Sequence, residues 1–395
     1  ILCTLNRTLF IMRNKMKVLF LISYYKIGDG ASNALNEFIR NSTFIDDYDI
    51  LCRWKVSSDP DLHIKQFDEV DSITDYLRKK SFSCIHYFKA RNSDIFYRVV
   101  KSAMQVSLQI PVLTTVCQRP SFKSLLLSPF EIQHSSYIVL IDKASYNDSI
   151  IRFIPQERRK QIYFSGDPRL CEQTSGISFK RNENGPIIFG RGTSLSKCPL
   201  NMIDIFDRIS ISNKIFCIVG IPKGDNWVRR KAKGRNDIII YDLLPYEEWL
   251  KVCATFDVCL YQIPVDSHAS IDANLGLAML MNKPVVYYGS EAPKERFIHG
   301  ENGFIAETYD EIVKYATLLG KDEDLRKRIG VQARKTTVEL IEGLNRKSQY
   351  AELYYNLKPA LPCRIPLCYR FTYLLRCFRP LIRMILNWYP KVIIN

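Results

Sequence analysis

Nowhere in its 395 residues does the chain run for the roughly 18 uninterrupted apolar residues that a membrane-spanning helix needs. It has no CxxC pair and no Cys/His cluster at zinc spacing, although twelve cysteines are scattered along it. A disulfide framework has little to add to so long a chain, so the cysteines read as reduced thiols in a cytoplasmic setting. Cys217, inside the apolar run 214–219, reads as a small buried hydrophobe. Disorder and collagen-like repeats are excluded by what is present: 47% hydrophobic residues, 12% aromatic and 25% charged. At about 150 residues per domain, this length predicts two or three domains.

Acidic residues are missing from both ends. Residues 353–395 carry seven Lys or Arg with no Asp or Glu, and residues 1–28 carry five more, again with no acid. These two segments hold most of the formal net charge of +15. Such an excess favours an anionic partner. A nucleic-acid enzyme would carry its basic stripe across the body, so nucleic acid is the weakest candidate. Met16 reads as a natural start that opens directly into a strand, which makes 1–15 an upstream or non-native extension. A signal peptide fits less well, because the apolar run is short and Lys26-Ile-Gly28 is a poor cleavage site.

Periodicity gives a strand–helix alternation, interrupted once. Strands are predicted at 16–25, 50–54, 84–88, 112–117, 137–141 and 161–164, with amphipathic helices such as 31–40, 70–80 and 95–107 among them. The segment 166–186 is rich in Gly, Asn, Ser and charge, lacks a sustained apolar period, and reads as a linker. Alternation then resumes, with strands at 186–189, 214–219, 237–241, 257–261, 284–288 and 304–306. Its helices are predicted at 200–209, 246–253, 272–281 and 309–319. This is an α/β chain of two doubly wound parallel sheets, whose ligands are expected where the strands end at their carboxyl termini.

Three segments could carry chemistry there. Gly28-Asp-Gly30 sits between the first strand and the first helix, where glycine lets a backbone approach a ligand and a helix amino terminus favours an anion. Asn33 stands where a GxGxxG fingerprint needs its third glycine, so a plain strand–helix turn remains open. Phe189-Gly-Arg-Gly-Thr-Ser-Leu-Ser-Lys197 places Arg191 and Lys197 just past a strand. Two cations there suit a diphosphate, with a solvated charged loop as the alternative. The third segment runs from Asp266-Ser-His-Ala-Ser-Ile-Asp272 through a small-residue helix to Lys283-Pro-Val-Val286, followed by Glu295 and Asn302-Gly303.

With those motifs the chain resembles the retaining GT-B glycosyltransferases of the large family-4 group over roughly 16–357, most strongly after Pro186. The matching residues are Gly190-Arg191 with Lys197, Ile218-Val-Gly220, Ala278-Met279 leading into Lys283-Pro-Val-Val286, Glu295 with Asn302-Gly303, and Gly330-Val-Gln-Ala-Arg334. The resemblance implies an acceptor-side Rossmann-like domain at 16–166, a linker at 167–185 and a nucleotide-sugar domain at 186–335. It further implies a helix at 336–358 returning to the first domain, and leaves 359–395 as a basic tail. It also implies transfer of a sugar from a nucleotide-diphosphate donor to a glycan or lipid-linked hydroxyl, with retention and without a metal or other cofactor. On this resemblance Gly28, Gly30, Arg191, Lys197, Asn274 and Glu295 are donor-side residues, and His86 is an acceptor-side candidate.

The family's pair of glutamates eight positions apart falls here on Ala269 and Leu277, neither of which can accept a hydrogen bond through its side chain. Asp266, His268 or Asp272 is expected to substitute as the catalytic group. Cys117-Gln118 stands where a His often follows a strand of the first domain, and Cys198 where a Gly usually follows the diphosphate Lys. Asp47-Tyr-Asp49 and Asp59-Pro-Asp61 could be mistaken for the metal-binding Asp-x-Asp of the other major glycosyltransferase fold, but both fall in the first half. A non-catalytic GT-B-like subunit of a glycan-assembly complex is the alternative function. A nucleotide-sugar epimerase of the same fold lacks the cleft carboxylates it would need.

Arg376, Arg379 and Arg383 recur at helical spacing among Leu, Ile, Phe, Trp and Tyr. That pattern suits a helix lying in an anionic membrane interface, interrupted by Pro380. It makes 359–395 a membrane contact and the protein peripheral on the inner face of the plasma membrane. Packing against the first domain is the alternative, since the last helix of such enzymes commonly crosses back.

Overall fold

The computed structural model describes residues 16–26, 30–120, 127–163, 169–177, 184–192, 194–267, 273–343 and 346–377. The chain divides into two compact units, one formed by Ile1–Tyr163 with Arg346–Asn395, the other by Phe164–Asn345.

The first unit is built on β1 (Lys17–Tyr25), β2 (Asp47–Lys55), β3 (Ile64–Gln66), β4 (Cys84–Lys89), β5 (Val112–Val116), β6 (Tyr137–Leu140) and β7 (Arg159–Gln161). All seven run parallel, in the order β3-β2-β1-β4-β5-β6-β7. Central strands of such a sheet are covered on both faces, which is why Val18–Ile22 and Cys84–Phe88 are buried residue after residue rather than alternately.

The second unit holds β8 (Ile187–Gly192), β9 (Lys214–Val219), β10 (Ile238–Tyr241), β11 (Val258–Gln262), β12 (Val285–Tyr288) and β13 (Phe304–Ile305). Its order is β10-β9-β8-β11-β12-β13, again all parallel. From β8 the chain winds outward through β9 and β10, then returns to the other side of β8 with β11. Connections leaving β8 and β11 therefore diverge, which opens a crevice at their carboxyl ends. The core on one face gathers Phe189, Phe216, Ile218, Leu260 and Val286; that on the other gathers Phe256, Cys259, Tyr261, Leu277 and Tyr287.

Glycines set two close approaches in this unit. A Cβ at Gly190 would overlap the Phe256 ring, and one at Gly192 the Trp249 ring. Both glycines thus let large side chains lie flat on the sheet. At Gly330, in the helix Glu323–Gly343, a Cβ would run into the carbonyl of Asn282, which itself turns the chain at φ 58°. Asn is among the few residues that adopt this conformation readily.

Two segments carry packed structure that their composition alone does not announce. The stretch read as a linker contains the helix Arg169–Gln173, with Cys171 and Thr174 buried. It is held by Arg334, which donates to the Cys171 carbonyl (2.9 Å), the Thr174 hydroxyl (3.0 Å) and the Leu280 carbonyl. The tail, expected to lie on a membrane, packs its first part onto the first unit. Ile365 and Tyr369 enter a core with Ile132, Ile138 and Leu140, and the Tyr369 hydroxyl donates to the Leu127 carbonyl (2.7 Å). Arg158 donates to the Leu361 carbonyl as well. The helix Leu367–Cys377 keeps a second face exposed: Leu367, Phe371, Leu374 and Leu375. Arg379, Pro380 and Arg383 lie outside the described residues.

Candidate functional site

Arg191 is the next-to-last residue of β8, beside the crevice that the strand order opens. It is fully buried at 0% exposure. One guanidinium nitrogen, Nη2, donates to the Lys197 carbonyl at 2.9 Å, and the Tyr261 ring lies 5.8 Å from the guanidinium carbon. Its Nε and Nη1 have no hydrogen-bond partner among the described residues. A guanidinium is always charged, and burying it with two N–H groups unmet is costly. Such a group is stable where an anion completes it, and its planar fork matches two phosphate oxygens.

The bond from Arg191 to the Lys197 carbonyl also fixes the loop that carries the second cation. That loop makes a single 3-10 turn, Leu195–Lys197, and Lys197 itself is half-buried. The catalytic candidate Asp266 and the expected donor-side residues Asn274 and Glu295 follow neighbouring strands at the same edge. Asp266 is exposed in the turn after β11, Asn274 is the second residue of the helix Ala273–Leu280, and Glu295 ends the short helix after β12. The loop beyond Glu295 is held by buried Asn302, whose side chain accepts from the Ile298 amide (2.7 Å) and donates to the Arg296 carbonyl (2.9 Å). Gly28, His268, Ala269 and Asp272 lie outside the described residues. A Cβ at Gly30 would meet nothing within 4 Å, so no side chain forces glycine there. Leu277 is buried in the core against Tyr261 and Met279.

One residue at this edge was missed. Gln262 ends β11 at 1% exposure, and both atoms of its amide lack a hydrogen-bond partner among the described residues. Its sequence signal is faint: a lone amide closing the otherwise apolar run Val-Cys-Leu-Tyr.

His86, expected on the acceptor side, is a structural residue instead. It is fully buried in β4, with Nδ1 2.6 Å from the Tyr354 hydroxyl and Nε2 2.8 Å from the Thr115 hydroxyl. With both ring nitrogens engaged, an acceptor hydroxyl has nothing left to meet. The two aspartates of Asp59-Pro-Asp61 face a cation, pairing with Arg40 at 2.8 and 3.5 Å. Among the described residues no three His, Cys, Asp or Glu side chains group to hold a metal ion.

No family model matches the sequence, and no curated protein does. Solved structures do match in shape. Anabaena HepE, in complex with UDP, superposes with a TM-score of 0.68 at 15% identity, over 87% of this chain and 100% of that one. A glycosyltransferase from Rickettsia africae gives 0.63 at 13%, over 87% and 98%. Sucrose-phosphate synthase from Thermosynechococcus elongatus gives 0.63 at 12%, over 87% and 99%. The fold is GT-B. At these identities the likeness carries the fold alone. Within the GT-B frame, the crevice beside β8 belongs to the second of the two Rossmann-like units.

Proposed function

We propose that the protein is a glycosyltransferase that moves a sugar from a nucleotide-diphosphate donor to a hydroxyl of a glycan or lipid-linked acceptor. The observation that carries this reading is buried Arg191, with two unmet N–H groups beside the β8/β11 crevice. HepE, of the same fold, has been solved with UDP, with UDP and glucose, and with UDP-glucose. Negative charge builds on the departing diphosphate as the glycosidic bond to it breaks. A fixed guanidinium in a dry site stabilises that charge without reorganising, and Lys197 adds a point charge from the adjoining loop. These cations take the role that a metal plays elsewhere. Retention of the anomeric configuration, with Asp266, His268 or Asp272 as the catalytic group, completes the reading.

Calorimetric titration with UDP-, GDP- and ADP-sugars tests it. One donor is expected to bind at micromolar concentration, and Arg191→Ala to abolish that binding and slow transfer by about 10² or more. Unchanged binding in Arg191→Ala removes the assignment.

A second reading, a non-catalytic subunit of a glycan-assembly complex, is favoured by Leu277. Its burial in the core leaves no acceptor for a ribose hydroxyl at that position. A folded sample that binds no donor decides for it. For either reading we infer a cytoplasmic protein, peripheral on the inner face of the plasma membrane and working in cell-surface polysaccharide synthesis. The support is the acid-free tail and the exposed face of the helix Leu367–Cys377. No helix among the described residues is long and apolar enough to cross a membrane.

A further inference from the structure

Gln262 and Arg191 occupy the same face of the second sheet. Side chains alternate along a strand, and Phe189 and Leu260 both enter one core. Arg191 lies two residues beyond Phe189, and Gln262 two beyond Leu260, so both extend that face toward the carboxyl edge. Their strands are neighbours, with Cys259 opposite Gly190, and they flank the point where the winding reverses. On the next strand over, Tyr288 pairs with Gln262, and two residues later Ser290 is buried, its hydroxyl also without a partner among the described residues.

The chemistry of the unmet atoms differs along this edge. Arg191 offers donors only, Nε–H and Nη1–H, and calls for an anion. Gln262 leaves a carbonyl oxygen and an amide NH₂ unmet together. The diphosphate of a nucleotide sugar, esterified at both ends, has no proton at neutral pH to give the carbonyl. A hydroxyl both donates and accepts, and Ser290 requires the same of a ligand. Buried polar atoms are rarely left unpaired, so each of these marks a place where a ligand group completes the site.

We propose that Gln262 binds a hydroxyl of the sugar being transferred, one strand over from the phosphate on Arg191. This rests on the nucleotide-sugar reading and assigns a sugar-specificity residue within it. Replacing Gln262 by methionine keeps the volume and removes both unmet polar atoms, so the free protein is expected to melt at the same temperature or higher.

The test is calorimetry on the full chain with three pairs of probes: UDP and UDP-glucose, GDP and GDP-mannose, ADP and ADP-glucose. Gln262→Met is expected to bind the nucleoside diphosphate as the parent does and its sugar conjugate about tenfold more weakly. Gln262→Leu serves in the same way. An equal loss for both members of the pair places the contact on the nucleotide and overturns the proposal. So does unchanged affinity for the conjugate, or a lowered melting temperature, which marks Gln262 as a structural residue. If the parent binds none of the six probes, this proposal and the nucleotide-sugar reading fall together. If the parent binds a donor, Arg191→Ala loses it and Gln262→Met keeps it in full, only the Gln262 proposal falls.

Discussion

A polar side chain inside a parallel strand has two fates, and His86 and Gln262 show one each. His86 is met on both ring nitrogens, by Tyr354 and Thr115, and Thr115 in turn lies 3.1 Å from the Tyr350 hydroxyl. Burial holds its pKa well below the ordinary 6.5 and keeps the Tyr354 phenol neutral as well. The folded unit therefore refuses a proton that the unfolded chain accepts below about pH 6.5. Stability rises with pH wherever the unfolded state binds more protons, so His86 makes the first unit less stable as pH falls through that range. His134, lowered by burial and by nearby Arg158, acts in the same direction. Melting temperatures between pH 7.5 and 5 are expected to fall, and to fall less steeply in His86→Gln whatever that variant's absolute stability. An unchanged slope in the variant would show that His86 is not the group that titrates. The sequence marks His86 as a lone polar residue in an apolar strand, which makes it a candidate for a site. Its hydroxyl partner Tyr354 lies 268 positions away, so its satisfaction could not be read there. Gln262 fails in the opposite sense, because a missing partner leaves no trace in a sequence.

Elements with a strong local signal were legible, and those made by distant contacts were not. Buried parallel strands announce themselves as apolar runs, so β1, β4, β9 and β12 fall close to where periodicity puts them. β3 spans only Ile64–Gln66 with a single apolar residue and gives no such run. The helix Arg169–Gln173 lies in a stretch without apolar period, and its contacts to Arg334 are what hold it. The helix Leu367–Cys377 falls in the segment read as basic and amphipathic, and it presents two apolar faces. Tyr369 and Tyr373 pack on the first unit, while Leu367, Phe371, Leu374 and Leu375, at i, i+4, i+7 and i+8, stay in solvent. Arg364, just before the helix, and Arg370, within it, are also exposed, and each Lys or Arg near an anionic bilayer is worth about 1 kcal/mol. Phe371→Glu with Leu374→Glu changes only the exposed face. The pair is expected to abolish co-sedimentation with phosphatidylserine vesicles and leave the melting temperature within a degree or two. Retained sedimentation would remove this helix as the membrane contact.

At the scale of the whole molecule, each unit has its own sheet and cores, and the described part of the tail, 359–377, packs on the first. The first unit is completed from both ends of the sequence: helix Arg346–Tyr355 supplies Tyr350 and Tyr354 to His86 and Phe38, and the segment after it supplies Ile365 and Tyr369 to the core beside β6. From sequence alone, a chain ending at Leu357 looks like a folded enzyme without its membrane contact. The packing argues otherwise. Such a chain loses two fully buried side chains, each worth about 1.5–3 kcal/mol, and leaves the Arg158 guanidinium without the Leu361 carbonyl. A loss of roughly 3–6 kcal/mol is a large share of the 5–15 kcal/mol typical of a domain. Because the two units have separate cores, heating need not be a single transition. Truncation after Leu357 is therefore expected to lower the melting of the first unit by about 10 °C or more. The transition of the second unit, with its crevice beside β8, stays in place. Scanning calorimetry of the truncated and full chains, with and without donor, separates the two, since a donor held by Arg191 and Lys197 is expected to raise the second transition most. A truncated chain that melts like the full one would mean that the packed segment contributes nothing to the first unit, and would return the tail to the role of a membrane contact alone.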